Sequence, residues 1–502
     1  MLARIFAPAL VSFDNRLVEI ECDMANGLPG FVVVGLPDKA IEEARERVKS
    51  AIRNSGLILP AKRITLNLAP ADLPKDGTGY DLGMAVAILV ASGQIDNSSL
   101  SSSLFLGELA LDGSLRPVKG SVLAAQLASE HALTHVYVAT DNAAEAALTS
   151  SAKVIAVPNL LALFRHLVGE TLLSVVETTT VSVATTAVPA IDLANVYGQP
   201  MAKRALEIAA AGGHNILLSG PPGAGKTLLS KALIGILPPP TFEEMIEITK
   251  LYSLAGLNPG GVVSTRPFRA PHHTASSVAL IGGGTIPKPG EISLSHQGIL
   301  FLDELPEFPR SVLEVLRQPL EDGTVTVARA ARVTTFPARF MLVATRNPCP
   351  CGYAGDTLQA CNCSPAQILR YQRKLSGPLL DRIDLIIDVT RVEQKDLVAA
   401  KLAEPSSAVA ARVQAARERQ QKRFGKGSYL NSSLTGPAVR QYCRLDTETS
   451  AVAGQAISRL SLSARSYNRI LKVSRTIADL AEQDTIALPH FMEALQYRSR
   501  AT

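Results

Sequence analysis

The sequence predicts a multidomain protein built around a doubly wound α/β core. Its 502 residues exceed the usual length of one domain, and 47% of them are hydrophobic, enough for sizeable cores. Apolar runs at 215–218, 298–302, 340–344 and 384–389 are typical of parallel strands that are buried on both faces. Helical patterns alternate with these runs, as in a parallel sheet covered by helices on both sides.

Between the first of these strands and the next helix lies a complete G-x-x-x-x-G-K-[ST] loop, GPPGAGKT at 220–227. Its glycines let the backbone turn tightly, so that N–H groups and the N-terminus of the next helix face an anion. The motif predicts a nucleoside triphosphate site; a glycine-rich turn without a ligand is the alternative. The predicted binding residues are Gly220, Pro221, Pro222, Gly223, Ala224, Gly225, Lys226 and Thr227.

The next strand ends in two carboxylates, in the sequence ILFLDE at 299–304. We expect Lys226 to contact the β- and γ-phosphates, and Thr227 and Asp303 to hold Mg²⁺ from opposite sides. Glu304 is the natural group to orient the attacking water. Together, the loop and the acidic strand predict hydrolysis of the bound nucleotide.

Three polar residues further along the chain can complete such a site. Asn347 follows the strand at 340–344, where its amide could bind the attacking water or the γ-phosphate. Arg382 lies at an element boundary, and Arg465 opens a helix from which it could point at a γ-phosphate. The alternative for each arginine is an ordinary surface salt bridge.

Longer motifs make the chain resemble a known group of ATPases. They occupy 192–199, 266–274, 289–296, 347–353 and 376–384. On these motifs the chain resembles AAA+ ATPases of the magnesium-chelatase-like group, and it is most similar to the ComM/YifB family of competence-related proteins.

The resemblance implies an AAA+ core that uses ATP and Mg²⁺, with Asn347 as sensor 1. It also implies that Arg382 is an arginine finger acting on a neighbour's nucleotide and that Arg465 is the sensor-2 residue. Arg346 departs from the small or apolar residue expected before the sensor asparagine.

A site completed by a neighbour implies a ring, expected to be a homo-hexamer. The function implied by the resemblance is an ATP-dependent DNA helicase that promotes branch migration while incoming DNA is integrated during natural transformation. Its partners would be single-stranded and branched DNA, with no membrane. The alternatives are a motor subunit that assists metal insertion, as in magnesium chelatase, another remodelling ATPase, and an ATP-dependent protease.

Two segments are candidates for DNA contact. Alternating runs at 321–335 predict a β-hairpin, which in this ATPase group points into the central pore; an edge hairpin kept soluble by its arginines is the alternative. Residues 266–290 resemble a second pore insertion. The candidate phosphate-contacting residues are Arg269, Lys288, Arg329 and Arg332.

Three further local expectations concern these regions. Residues 282–284 are expected to form a flexible tip. His272 and His273 are expected to face opposite ways on an extended segment, which argues against a shared metal. The charged segment 417–423 is interpreted as a solvated helix face.

Four of the six cysteines form two C-x-C pairs within fifteen positions. Such a set can supply a tetrahedral thiolate site, for which zinc is suited in a reducing compartment. Four sulfurs leave no open coordination position, so the predicted role is structural; a loop of free thiols is the alternative. The predicted ligands are Cys349, Cys351, Cys361 and Cys363.

The predicted divisions are an α+β domain at 1–168, a Thr/Val-rich linker at 169–189, the AAA+ core at 190–395 and a helical lid at 396–502. A strand pair of the first domain is the alternative for the linker. The first domain resembles Lon-type protease domains, with a ribosomal S5 domain 2-like fold, through 73–81 and 106–113. Gly79 stands at the position of the serine nucleophile and Val122 best matches the lysine, so we expect no peptidase activity.

Composition limits the remaining possibilities. A net charge of +5 is compatible with a polyanionic partner but does not establish one. No apolar run reaches about 18 residues, and the longest, at 82–91, is interpreted as a buried helix. The N-terminus lacks a signal-peptide layout, so we expect a cytoplasmic protein with reduced cysteines.

Overall fold

The computed structural model describes 2–9, 15–35, 39–71, 73, 75, 77–97, 100–149, 151–176, 191–258, 261–284, 287–329, 332–356, 358–392, 404–425, 429–460 and 462–498. The side chains of Arg329 and Arg332 lie outside this description. Among the described residues, no helix combines the length and apolar character needed to cross a bilayer.

The N-terminal domain is an α+β unit formed around one large mixed sheet. Its strands are β1 (Ala3–Ala9), β2 (Arg16–Ala25), β3 (Gly30–Val34), β4 (Arg63–Ala69), β5 (Ser103–Leu106), β6 (Glu108–Leu109), β7 (Leu115–Arg116), β8 (His135–Ala139), β9 (Lys153–Val157) and β10 (Val175–Val176). Its helices are α1 (Lys39–Asn54), α2 (Asp81–Ala91), α3 (Ser121–Glu130), α4 (Thr140–Ala146) and α5 (Leu160–Leu167). The eight-stranded sheet has the order β10-β9-β8-β5-β1-β2-β4-β3, and β6 pairs with β7 separately.

The apolar run at 82–91 forms α2, in which all residues are buried. This confirms the expectation of a buried helix. Gly83 allows α2 to lie close to β2, because a Cβ atom there would be 2.7 Å from Ile20 Cδ1. The sheet also extends beyond the expected boundary at 168, since Val175 and Val176 pair antiparallel with β9.

The central domain is a parallel sheet with helices on both faces. Its strands are β11 (Ile216–Ser219), β12 (Phe268–Arg269), β15 (Ile299–Leu302), β18 (Met341–Arg346) and β19 (Leu385–Asp388), in the order β12-β15-β18-β11-β19. All four neighbouring pairs are parallel. The two faces carry different hydrophobic cores: Ile216 and Leu218 pack into one, and Leu217 into the other. This confirms the doubly wound α/β core.

The helices of the central domain are α6 (Pro200–Gly212), α7 (Lys226–Ala232), α8 (Phe242–Ala255), α9 (Ser277–Ile281), α10 (Glu291–Leu294), α11 (Arg310–Val315), α12 (Arg317–Asp322), α13 (Pro365–Gln372) and α14 (Gly377–Leu380). Two small hairpins project from it, β13 (Gly282–Gly283) with β14 (Lys288–Pro289), and β16 (Thr324–Arg329) with β17 (Arg332–Pro337). The second confirms the hairpin predicted at 321–335.

The C-terminal part is helical, as predicted. It comprises α15 (Ser406–Phe424), α16 (Gly436–Tyr442), α17 (Thr447–Arg459), α18 (Ala464–Leu480) and α19 (Leu488–Gln496). The interpretation of 417–423 as a solvated face is wrong for two of its arginines. The Arg417 guanidinium donates to Ala210 O at 2.7 Å, and Arg423 pairs with the buried Asp479 at 2.9 Å. These contacts dock α15 on α6 and α18, because long arginine side chains can cover apolar surface while their heads find partners.

The N-terminal domain contacts the central domain through α3 and α8. The Gly120 N–H donates to Ser253 Oγ at 2.7 Å, and Asn258 Nδ2 donates to Glu145 Oε2 at 3.3 Å. Burial raises the pKa of Glu145. The helix α8 therefore connects the N-terminal domain to the ATPase core.

Candidate nucleotide-binding and catalytic site

The glycine-rich loop lies between the carboxyl end of β11 and the start of α7, as its motif predicts. Gly223 and Gly225 have φ of 77° and 87°, a left-handed conformation that glycine adopts without steric cost. Gly220 is required for a different reason, since a Cβ atom there would be 2.1 Å from Val389 O at the end of β19. The loop conformation thus depends on both local φ angles and a neighbouring strand.

The Lys226 side chain folds back over this loop and reaches Asn347, which directly follows the neighbouring strand β18. Its ammonium donates to Gly220 O at 2.6 Å, Pro221 O at 2.9 Å and Asn347 Oδ1 at 3.1 Å. Burial lowers the pKa of Lys226, and Asp303 and Glu304 oppose this effect. The predicted phosphate ligand and the predicted sensor 1 are therefore in direct contact.

The proposed magnesium ligands also lie together. Thr227 Oγ1 donates to Asp303 Oδ2 at 3.2 Å, joining the loop to the end of β15. Glu304, the next residue, has a left-handed backbone with φ of 52°. A hydroxyl and a carboxylate at this separation are oxygen ligands suited to a cation such as Mg²⁺.

Thr345 is a site residue that no sequence motif indicated. Its hydroxyl donates to Asp303 Oδ1 at 2.5 Å and accepts the Glu304 N–H at 2.9 Å. It therefore orients both acidic residues. In the parallel pairing of β15 with β18, Leu302 lies opposite Ala344, so Thr345 lies beside Asp303. Once β15 and β18 are taken as neighbouring strands, this register points to Thr345 as a site residue.

Arg382 and Arg465 lie away from the loop of their own chain. Asn215, just before β11, donates from its side chain to Arg382 O at 2.9 Å, whereas the loop follows the other end of β11. The four residues of β11 span about 13 Å. Both arginines line a cleft of about 1060 Å³ between the core and the helical part.

The four clustered cysteines converge as predicted from their spacing. Their sulfur atoms all lie within 4.8 Å of one another. The Ala354 N–H donates to Cys349 Sγ at 3.3 Å, and the Cys363 N–H donates to Cys361 Sγ at 3.4 Å. The cysteine loop also lies against the glycine-rich loop, because a Cβ atom at Gly352 would be 2.7 Å from Pro222 Cδ.

The candidate DNA-contacting residues differ in their exposure and in their partners. Arg269 is half-buried and forms a two-pronged ion pair with Glu291, at 2.6 and 2.7 Å, whereas Lys288 in β14 is exposed. Arg329 and Arg332 form the last backbone pair of the second hairpin. Next to them, Val333 is 69% exposed.

Two expectations about the insertion at 266–290 are wrong. Gly282 and Gly283 form β13 and pair with β14, so the flexible tip expected at 282–284 is wrong for these two residues; Gly282 is needed because a Cβ there would be 2.1 Å from Lys288 O. His272 and His273 do not face opposite ways, since their ring centroids are 4.1 Å apart. A turn closed by the Ala275 N–H and His272 O, at 2.9 Å, replaces the extended segment.

Gly79, at the serine position of Lon-type proteases, lies against β5. A Cβ atom there would be 2.9 Å from Leu106 Cδ1. Val122, at the lysine position, is fully buried. Neither position carries a nucleophile or base.

Comparison with known proteins agrees with this architecture. Three family models match: "Subunit ChlI of Mg-chelatase" over 20–142, "Magnesium chelatase, subunit ChlI" over 192–397, and "Magnesium chelatase, subunit ChlI C-terminal" over 403–498. The chain is 46% identical to the competence protein ComM of Haemophilus influenzae, over 99% of this chain and 97% of the relative. It belongs to the ComM/YifB family of magnesium-chelatase-like AAA+ proteins.

Other members of the ComM/YifB family match over the same extent. The YifB proteins of Salmonella typhimurium and Escherichia coli are each 45% identical over 99% of this chain and 97% of their own length. The 67 kDa magnesium-chelatase subunit of Chlorobaculum tepidum is 26% identical over 31% of this chain and 23% of its length. Membership of this AAA+ family implies ATPase activity.

Proposed function

We propose that this chain is the subunit of a homo-hexameric, ATP-driven DNA helicase that promotes branch migration when incoming single-stranded DNA is integrated. The observation that carries the proposal is the position of Arg382 and Arg465, at the end of β11 opposite to the glycine-rich loop. Arginines in this position can serve a neighbour's nucleotide and not their own. A ring of identical subunits is the simplest assembly in which every site is completed this way.

Two further observations support DNA as the substrate. The β16–β17 hairpin carries arginines at its last cross-strand pair, where guanidinium groups can contact backbone phosphate without reading sequence. The relative that matches at 46% identity over nearly its whole length is named a competence protein, which makes natural transformation and a cytoplasmic location the expected setting. A motor subunit for metal insertion is the second candidate, favoured by the three chelatase family models.

The Lys226→Ala variant is expected to bind forked and three-way DNA but to displace no strand, because the ammonium that contacts the phosphates is lost. Strand displacement and DNA binding are measured for this variant and for the wild-type chain. The matched control is Lys231→Ala, which removes an exposed lysine near the end of α7. If the Lys226→Ala variant migrates branches, ATP hydrolysis at this site does not drive the motion. An ATPase rate that single-stranded DNA does not change would favour the metal-insertion role.

We also propose that the cysteine cluster holds one structural zinc ion. The donor set fits, since four sulfurs lie within 4.8 Å of one another and two of them accept backbone N–H groups. Such N–H donors stabilise thiolate charge and orient the ligands. A zinc ion there would fix the loop between Asn347 and the Arg382 segment.

Elemental analysis is expected to find about one zinc per chain, lost in a Cys361→Ser, Cys363→Ser double variant. The thermal unfolding midpoint of that variant should fall by several degrees, because the metal stabilises only the folded loop. Cys22→Ala, at a buried cysteine of the N-terminal domain, is the control that should retain zinc. A zinc-free wild-type chain with an unchanged unfolding midpoint would contradict this assignment.

A further inference from the structure

One carboxylate joins the two arginines that face away from their own nucleotide site. Glu321 Oε2 accepts a hydrogen bond from Arg382 Nη2, and Glu321 Oε1 accepts one from Arg465 Nη2 at 3.2 Å. Arg382 belongs to the core and Arg465 to the helical part, so Glu321 bridges the two. No motif in the sequence assigns a role to Glu321.

The other contacts of Arg382 hold its guanidinium in place. Its Nε donates to Arg317 O at 3.1 Å and its Nη1 donates to Pro378 O at 2.7 Å. The Arg382 side chain is only 12% exposed, whereas Glu321 is 50% exposed. Glu321 is thus the partner that can be exchanged, and a phosphate can take its place because guanidinium groups bind carboxylate and phosphate in the same forked geometry.

Arg465 can also leave Glu321 without undocking the helical part. One turn further along α18, Arg469 donates to Asp381 Oδ1 at 3.0 Å and to Ile383 O at 2.9 Å. These bonds attach α18 to the segment that carries Arg382. The arginine pair can therefore change partner while its two supporting elements remain together.

Glu321 also lies at the base of the hairpin that is the candidate DNA contact. Only Asp322 and Gly323 separate it from β16. The Ala338 N–H donates to Gly323 O at 2.8 Å and closes the base of the hairpin. The hairpin therefore begins only three residues after the carboxylate that holds both arginines.

We propose that Glu321 is a positioning residue that competes with a neighbouring subunit's phosphate for Arg382 and Arg465, and that the hairpin controls this competition. DNA on the hairpin would move Glu321 and release the arginines to the neighbour's nucleotide. This inference rests on the proposed function, and it adds how DNA contact regulates hydrolysis.

The test compares Glu321→Gln with the wild-type chain. Glutamine keeps the size of the side chain but removes the competing charge. We expect the DNA-free ATPase rate to rise about fivefold and the KM for ATP to fall. The ratio of DNA-stimulated to DNA-free rates should fall towards one. The matched control is Asp322→Asn, the adjacent exposed carboxylate of the same cleft, which should match the wild type in all three measurements.

An unchanged or lower DNA-free rate in Glu321→Gln would overturn the inference, and so would the same change in Asp322→Asn. A loss of rate at a constant stimulation ratio would indicate a structural role only. The two proposals can fail separately. If single-stranded DNA does not stimulate the wild type, the DNA motor fails, while a faster Glu321→Gln still supports the competition for the arginines.

Discussion

Replacing Glu304 by glutamine is expected to lower the rate of ATP hydrolysis by roughly 10²–10⁴-fold while ATP binding persists. In its proposed role, the Glu304 carboxylate orients the attacking water, whereas glutamine has nearly the same size but cannot accept a proton. The loop, Lys226 and the Thr227–Asp303 pair stay intact in this variant, so the nucleotide and Mg²⁺ should still bind. Phosphate release and the binding of a fluorescent ATP analogue measure the two effects separately.

The matched control for this prediction is Glu307→Gln. Glu307 lies three residues further on, is exposed and pairs with Lys374 at 3.1 Å. Its replacement should leave the rate close to that of the wild type. If Glu304→Gln keeps more than about a tenth of the activity, another group activates the water.

Arg382→Ala is expected to lower the ATPase rate by about 10³-fold or more, and the loss should be partly reversed by mixing with inactive Lys226→Ala subunits. The Arg382→Ala subunit keeps its own loop and acidic strand, and the Lys226→Ala subunit still carries an arginine for its neighbour. Mixed rings therefore contain complete sites that neither variant forms alone. ATPase rates measured across mixing ratios should pass through a maximum between the two pure samples.

Mixing Lys226→Ala with Glu304→Gln is the control for this result. Lys226 and Glu304 both belong to the nucleotide site of the chain that carries them, so each variant subunit has a defective site whichever subunit lies next to it. No mixture of the two variants should therefore recover activity. If Arg382→Ala mixtures stay as inactive as the pure variants, Arg382 does not act between subunits, and its role is confined to its contacts within the same chain, with Glu321, Arg317 and Pro378.

The parts of the fold and of the site that were predictable come from short, contiguous motifs. The loop at 220–227 specifies its own turn, because glycines at 223 and 225 take the positive φ angles that it needs. The acidic end of β15, the hairpin at 324–337 and the buried α2 follow equally from local patterns of apolar and polar residues. The four cysteines were found because their spacing alone brings them into one loop.

The residues that were missed gain their roles from distant segments. Thr345 matters because the register of β15 and β18 sets it beside Asp303. Glu321 matters because the segment after α14 and the helix α18 bring two arginines to it. Arg417 and Arg423 look like solvated charges until α6 and α18 pack on their helix. The rings of His272 and His273 lie 4.1 Å apart because a turn forms where an extended segment was expected.

By itself, the sequence determined that this protein binds a nucleoside triphosphate in a parallel α/β core, since phosphate binding needs only a few adjacent residues in one backbone conformation. The tertiary structure alone decided which end of the sheet carries Arg382 and Arg465, and which carboxylate they share. Strand order and helix docking join residues that are 42 to 207 positions apart, as in Asp303–Thr345 and Ala210–Arg417, and no local pattern encodes those pairings.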